Sequence, residues 1–293
     1  MRNTLSLVFI SLRPTQWVKN SFVFAALIFS QNVLNPKMLM ISIAAFVIFC
    51  FLSGGVYLLN DLLDIEKDKK HPEKSYRPLA SGRLSPKVAK ITIIIVLTVS
   101  LAVSLLVINI PFAATALGYL TVQIAYSILL KEVVIMDIFS IAAGFFLRVI
   151  AGAMAIDVPI SSWLLICTIF MSLFLGLGKR RHEFLLLGED ARNHRKVLNE
   201  YNTNVLDQMV SIVTAGTVIS YSLYTLSYET IKKFGTEKLW YTIPIVLYGV
   251  FRYLYLVYRK EGGGSPEITL FADKPLFASI ALYVILVAII LYF

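Results

Sequence analysis

The chain has 293 residues, of which 58% are hydrophobic and only 15% charged, and its mean hydropathy is +0.76. That balance excludes an ordinary soluble domain, where about 25% charged residues is usual, and predicts an all-α integral membrane protein. The net charge of +9 reads first as membrane topology, because basic loops lie naturally over anionic lipid, and it requires no nucleic-acid partner.

Nine apolar stretches approach the roughly 20 residues needed to cross a hydrocarbon core of about 30 Å. They are 20–36, 38–60, 88–108, 111–130, 136–156, 160–178, 207–228, 239–257 and 273–292. No strand-like alternation recurs at barrel spacing. The opening MRNTLSLVFISLRPTQWVKN has neither a long apolar core nor a small-residue cleavage site, so no removable signal peptide is read there. Cys50 and Cys167 sit inside apolar runs, which excludes a disulfide framework and a thiolate metal site.

The basic residues are distributed unevenly. Arg2, Arg13, Lys19, the run from Lys67 to Lys90, Lys131, the run from Lys179 to Lys196, and Arg259, Lys260 and Lys274 fall on one side. Lys37, Lys232, Lys233 and Lys238 fall on the other. The positive-inside rule makes the first side, with the N-terminus, cytoplasmic, in a multi-pass cell-membrane protein.

Two loops on that face, about 61–87 and 179–206, are too long for simple turns. In the first, HPEKSYRPLASG reads as shaped turns, not a polar tract. The expected architecture is nine antiparallel transmembrane helices around a central cavity, capped by these two cytoplasmic loops, as a single domain spanning 1–293.

The first loop opens with NDLLDIEKDKKHPEKSYRP, residues 60–78. If the second helix continues past Asn60, a step of about 100° per residue places Asn60, Asp61, Asp64 and Asp68 in one quadrant. An all-oxygen donor set without His or Cys suits a hard cation, Mg²⁺ above all, which keeps waters and completes its shell with substrate phosphates. The site falls at the negative end of a helix dipole, a poor place for several carboxylates unless a cation offsets them. A solvated juxtamembrane loop is the simpler alternative, but the cations that follow, Lys74 and Arg77 among them, are what a diphosphate beside Mg²⁺ needs.

This segment resembles the first aspartate-rich motif, NDxxDxxxD, of the UbiA superfamily of membrane prenyltransferases; Asn60, Asp61, Asp64 and Asp68 match every position. Further segments are similar to one branch, the decaprenyl-phosphate phosphoribosyltransferases: RPTQWVKN (13–20), YSILLKEVVIMD (126–137), FFLRVIAGAMAI (145–156), LGKRRHE (177–183) and GGGSPEITLFADKPL (262–276). The superfamily's second motif, DxxxD, is absent after the sixth span, where Lys179, Arg180 and Arg181 precede a single Glu183. Exchanging carboxylates for cations favours a substrate pair richer in phosphate. The resemblance therefore implies transfer of 5-phosphoribose from phosphoribosyl diphosphate (PRPP) to a polyprenyl phosphate. Asp61, Asp64 and Asp68 would be catalytic and, with Asn60, would hold the Mg²⁺. Lys74, Arg77, Arg148, Lys179, Arg180 and Arg181 would hold phosphates, with Glu183 beside them.

Other candidates carry two readings. Arg148 lies within a span, where an arginine is costly and faces a cavity or a partner; a phosphate contact is preferred over a pair with Asp137. Ala143, Gly144, Ala151 and Gly152 in the same stretch read as packing. Lys19 either snorkels or, through RPTQWVKN, meets substrate. Tyr126 and Lys131 close the fourth span, where either could meet phosphate, and His71 reads as structural. An ordinary prenyltransferase joining a prenyl diphosphate to an aromatic acceptor is the second functional reading, and a membrane transporter the third. The oligomeric state stays open.

Overall fold

The structure, a computed structural model, describes residues 3–187, 200–259 and 266–292. Arg2, residues 188–199 of the second expected loop with His194 and Lys196, Lys260, and 262–265 of the GGGSP segment lie outside the described residues.

The elements in chain order begin with α1 (Thr4–Ser11), a 3-10 segment (Pro14–Phe24), α2 (Ala25–Phe29), α3 (Pro36–Leu63) and α4 (Ile65–Lys70). They continue with α5 (Pro86–Val103), a π turn (Ser104–Ile108), α6 (Ile110–Ile128), a 3-10 turn (Leu130–Glu132), α7 (Met136–Ile156) and α8 (Ser162–Leu187). After 200 come α9 (Thr203–Leu226), α10 (Tyr228–Phe234), a 3-10 turn (Lys238–Thr242), α11 (Ile243–Arg259), α12 (Pro266–Ala272) and α13 (Lys274–Tyr292).

The starts of the long helices are written in the sequence. The side chains of Asn35, Ser85 and Asn109 accept from backbone N–H groups one turn into α3, α5 and α6, each with proline in the first two helical positions. Capping oxygen and preset φ both favour a helix beginning there.

Among the described residues, seven helices are long and apolar enough to cross a membrane, against the nine expected. Of the other two stretches, 111–130 does form a helix, α6, but Thr121, Gln123, Tyr126 and Ser127 dilute its apolarity and it stands outside the seven. The stretch 20–36 is not one helix. Its apolar run is short, and the chain breaks at Gln31, which takes a left-handed φ of 59° before the Asn32 turn.

Two compact units organise the described chain. The first comprises 1–133 and 143–159. One of its cores packs Val23, Phe49, Leu52, Phe112, Tyr119 and Ala151. Gly152 lies directly against the Val23 backbone, and a Cβ there would collide with the Val23 carbonyl, so the small-residue stripe is packing. A second core gathers Leu7, Leu58, Leu79, Leu84, Ala89 and Ile93. Leu79 and Leu84 belong to the first long loop, which is therefore folded down by its own apolar residues. Gly82, at φ 73°, makes the tight turn that returns Leu84 N–H to the Pro78 carbonyl at 2.8 Å.

The second unit comprises 134–142 and the chain from 160 onward. Its core is built on Ile138, Phe174, Leu177, Leu206, Tyr253 and Leu256. Here α8 runs on to Leu187, so Lys179, Arg180, Arg181 and Glu183 are helical and not on a loop that starts at 179. Leu, Lys, Arg and Glu are all good helix formers, and charge alone does not end a helix.

Candidate functional site

Asn60 and Asp61 occupy the last turn of α3. Asp64 leaves the helical region, at φ −104° and ψ 16°, and Asp68 follows in α4. The single helix expected through Asp68 is thus broken at Asp64, where two carboxylates and the negative helix pole coincide. The break does not scatter the motif. Arg77 Nη1 donates to Asp61 Oδ1 at 3.0 Å and to Asp68 Oδ2 at 2.6 Å, joining the two carboxylates. Lys131 Nζ lies 2.8 Å from both oxygens of Asp64. Lys67 pairs at 3.2 Å with Glu132 on the same 3-10 turn as Lys131.

Asp61 is the hub of this arrangement. Its side chain is 3% exposed, and it accepts a second guanidinium, that of Arg13. The Arg13 guanidinium also lies over the Tyr57 ring, 5.0 Å from its centroid. Arg13 was not among the sequence-predicted site residues. It sits in a left-handed backbone conformation, φ 53° and ψ 65°, which a non-glycine residue adopts at a cost of about 1–2 kcal/mol. That turn ends α1 and starts the 3-10 segment. The only advance sign was its place at the head of RPTQWVKN.

The remaining predicted residues of the first unit are spread out. Lys74 is half-buried, and its carbonyl accepts from Arg77 N–H at 3.0 Å, so it helps shape the turn that presents Arg77. Lys19 lies 2.6 Å from Gln16 Oε1, and Tyr126 is half-buried in the last turn of α6. His71 accepts from Glu73 N–H at 3.1 Å, a structural turn contact. Arg148 is buried, and donates to Asn20 Oδ1 at 2.7 Å, the Tyr119 hydroxyl at 2.9 Å and the Gly144 carbonyl at 2.9 Å. Those acceptors satisfy a charge inside a span, while Asp137 pairs with Arg180 instead.

In the second unit Asp137 pairs with Arg180, and the two side chains are 0% and 2% exposed. Arg180 also meets Glu183, while Arg181 Nε donates to Asp207 at 2.7 Å under the Tyr258 ring. Arg180 is therefore held between the buried Asp137 and the partly exposed Glu183. Lys179 is half-buried on the same helix.

Tyr201 links this pair to the start of α7: its hydroxyl accepts from Ile135 N–H at 2.7 Å and donates to Asp137 at 2.8 Å. Burial, and then the adjacent Asp137 carboxylate, push the phenol up from 10.0 to about 12. A raised folded pKa means the protonated phenol stabilises the fold. That contribution is complete below pH 10 and is lost as pH rises through about 12. Tyr201→Phe is expected to lower the melting temperature at pH 8, by removing about 1–3 kcal/mol of hydrogen bonding, and to flatten the wild type's decline above pH 10.

The donor chemistry of the α3–α4 junction fits a hard divalent cation. Asn60 Oδ1 is buried and makes no hydrogen bond among the described residues, an orphan acceptor next to Asp61 and one turn before Asp64. Among the described residues no three acidic, imidazole or thiol side chains converge as a ready-made cage, since each aspartate is closed on a cation.

Among the described residues, a multi-span helical fold with paired carboxylates and arginines at one helix end defines a membrane protein with a charged network at that end. The sequence profile of the UbiA prenyltransferase family matches residues 20–274, and the chain belongs to that family. A decaprenyl-phosphate phosphoribosyltransferase of Corynebacterium glutamicum is 32% identical over 271 residues, 91% of this chain and 81% of that protein. One from Mycolicibacterium smegmatis is 31% identical over 287 residues, 94% of this chain and 89% of that protein. The fold is that of a UbiA homologue from Archaeoglobus fulgidus, itself bound to GPP and Mg²⁺. The two superpose with a TM-score of 0.72 at 19% identity, covering 98% of this chain and all of that one.

Proposed function

We propose that this chain is a membrane phosphoribosyltransferase, acting as a single transferase domain that moves 5-phosphoribose from PRPP to a polyprenyl phosphate. The observation that carries the reading is the Asp61–Arg77–Asp68 bridge beside the Asp64–Lys131 pair, in a chain 32% identical to a decaprenyl-phosphate phosphoribosyltransferase.

Mg²⁺ held by Asn60, Asp61, Asp64 and Asp68 would supply positive charge to the departing diphosphate. The aspartates keep Arg77 and Lys131 at the same spot, where they bind donor phosphates as point charge and fork. Lys74 extends the cationic set within the first unit, Lys179 stays a separate candidate for phosphate in the second, and Lys19 and Tyr126 stay candidates for the acceptor's headgroup. Breaking the sugar C1–O bond gives an oxocarbenium-like centre, and the acceptor's phosphate oxygen attacks the opposite face with inversion. That oxygen is already anionic at neutral pH, so no general base is required, and catalysis is positioning plus charge stabilisation. The isoprenoid tail stays in the bilayer, so the reaction belongs at the cytoplasmic surface of the cell membrane, as the basic loops favour. An aromatic prenyltransferase would call for the second aspartate motif, and Lys179–Arg181 stand in its place.

The test incubates detergent-purified protein with radiolabelled PRPP, polyprenyl phosphate and Mg²⁺, and counts label in the lipid phase. Label is expected to move into lipid only with Mg²⁺, and to fall to background in Asp64→Ala. Coupling of a prenyl diphosphate to an aromatic acid, with no phosphoribose transfer, would overturn the proposal.

A further inference from the structure

Beside the acidic cluster lies a cavity of about 320 Å³ whose ligand the sequence does not announce. Its lining includes the cationic Arg13, Arg77 and Arg83 and the apolar Leu7 and Ile10 of α1. Asp61 lies at its edge and holds one nitrogen each of Arg13 and Arg77. Among the described residues, the other guanidinium nitrogens of these two arginines, Nε and Nη1 of Arg13 and Nε and Nη2 of Arg77, have no acceptor. Arg83 donates to Ser81 Oγ at 2.8 Å and to the Tyr76 carbonyl, which fixes its head at the rim.

Three properties of this cavity point one way. Its lining carries three guanidinium groups against two carboxylates, Asp61 and Glu73, and so a positive surplus. Arg77, tied to its carboxylates through Nη1, keeps an Nε–Nη2 edge that matches two phosphate oxygens, and the tie has already ordered the side chain. The volume is on the order of ten waters, enough for a phosphate and a short piece of what it esterifies. The left-handed backbone at Arg13 aims a non-glycine side chain here from a conformation few such residues adopt.

We propose that Arg13, Arg77 and Arg83 form a subsite for a phosphate monoester. The subsite rests on the transfer reading only for the identity of its ligand, which is then either the sugar's 5-phosphate or the headgroup of the lipid acceptor. Leu7 and Ile10 in the lining suit the first carbons of a lipid, and Glu73 suits a sugar hydroxyl.

The experiment measures binding of two phosphate monoesters, ribose 5-phosphate and dodecyl phosphate, to the full chain in uncharged detergent by calorimetry, with melting temperature recorded for every protein. Arg83→Gln leaves both partners of Asp61 in place, and it is expected to weaken at least one probe tenfold or more. Arg13→Gln is expected to weaken the same probe. Loss confined to ribose 5-phosphate assigns the subsite to the donor, loss confined to dodecyl phosphate assigns it to the acceptor, and loss of both supports recognition of the phosphate alone. Unchanged affinity for both probes in Arg83→Gln and Arg13→Gln, or no binding of either by the wild type, overturns the subsite. Neither probe carries a leaving diphosphate, so the result is independent of turnover. A chain that binds through these arginines but transfers no phosphoribose keeps the subsite and loses the transfer reading. A chain that transfers while both variants bind normally does the reverse.

Discussion

Asp61→Asn is expected to reduce phosphoribose transfer about 10³-fold or more, and to do more damage than Asp68→Asn. The ranking follows from connectivity. Asp61, 3% exposed, fixes both Arg13 and Arg77, whereas Asp68 holds only Arg77, which retains Asp61 when Asp68 is neutralised. Asparagine keeps the shape but removes the charge, so two guanidinium groups lose their counter-ion at a buried point. Their mutual repulsion then spreads the cations that position phosphate, and one of the four oxygen donors is weakened as well. Single-turnover label transfer with saturating donor reads the chemical step. A melting temperature in detergent within a few degrees of wild type would show that the loss is not unfolding. A loss under tenfold, with the fold intact, would remove Asp61 from the reaction.

The pattern of what the sequence disclosed is physical. Asn60, Asp61, Asp64 and Asp68 could be grouped from the sequence because helical spacing is local; after the break at Asp64, Arg77 still joins Asp61 and Asp68, while Asp64 pairs with Lys131. The second partner of Asp61 was invisible for the opposite reason. Arg13 lies 48 residues away and reaches the site through a left-handed turn that no periodicity encodes. Arg148 was rightly seen as a charge in need of partners. Those partners, Asn20 and Tyr119, are polar neutral side chains on distant elements, and a search for a carboxylate passes over them. The dense charge from 179 onward suggests a loop, but LGKRRHEF has the propensity to continue a helix, and α8 runs on to Leu187. The nine apolar stretches were counted on composition alone. Two stand outside the seven candidate spans: 111–130 is a helix diluted by polar residues, and 20–36 is interrupted at Gln31 and Asn32.

Arg180 carries the other large expected effect. Arg180→Ala leaves Asp137, 0% exposed, as an uncompensated charge inside the second unit. Removing one member of a buried pair costs about 3–5 kcal/mol, so the variant is expected to melt far below the wild type or to fail to accumulate. Tyr201 cannot rescue it, because its single proton already goes to Asp137 and its lone pair to Ile135 N–H. A phosphate-binding Arg180 predicts something different: a raised KM for PRPP in a protein of unchanged stability. The double variant Asp137→Asn with Arg180→Met separates these outcomes. It removes both charges while keeping volume, and replacing a buried pair in this way is often close to neutral. Recovery of most of the lost melting temperature in the double variant, with transfer restored alongside it, identifies Arg180 as the counter-ion of Asp137. Recovered stability with transfer still absent would return Arg180 to the phosphate site.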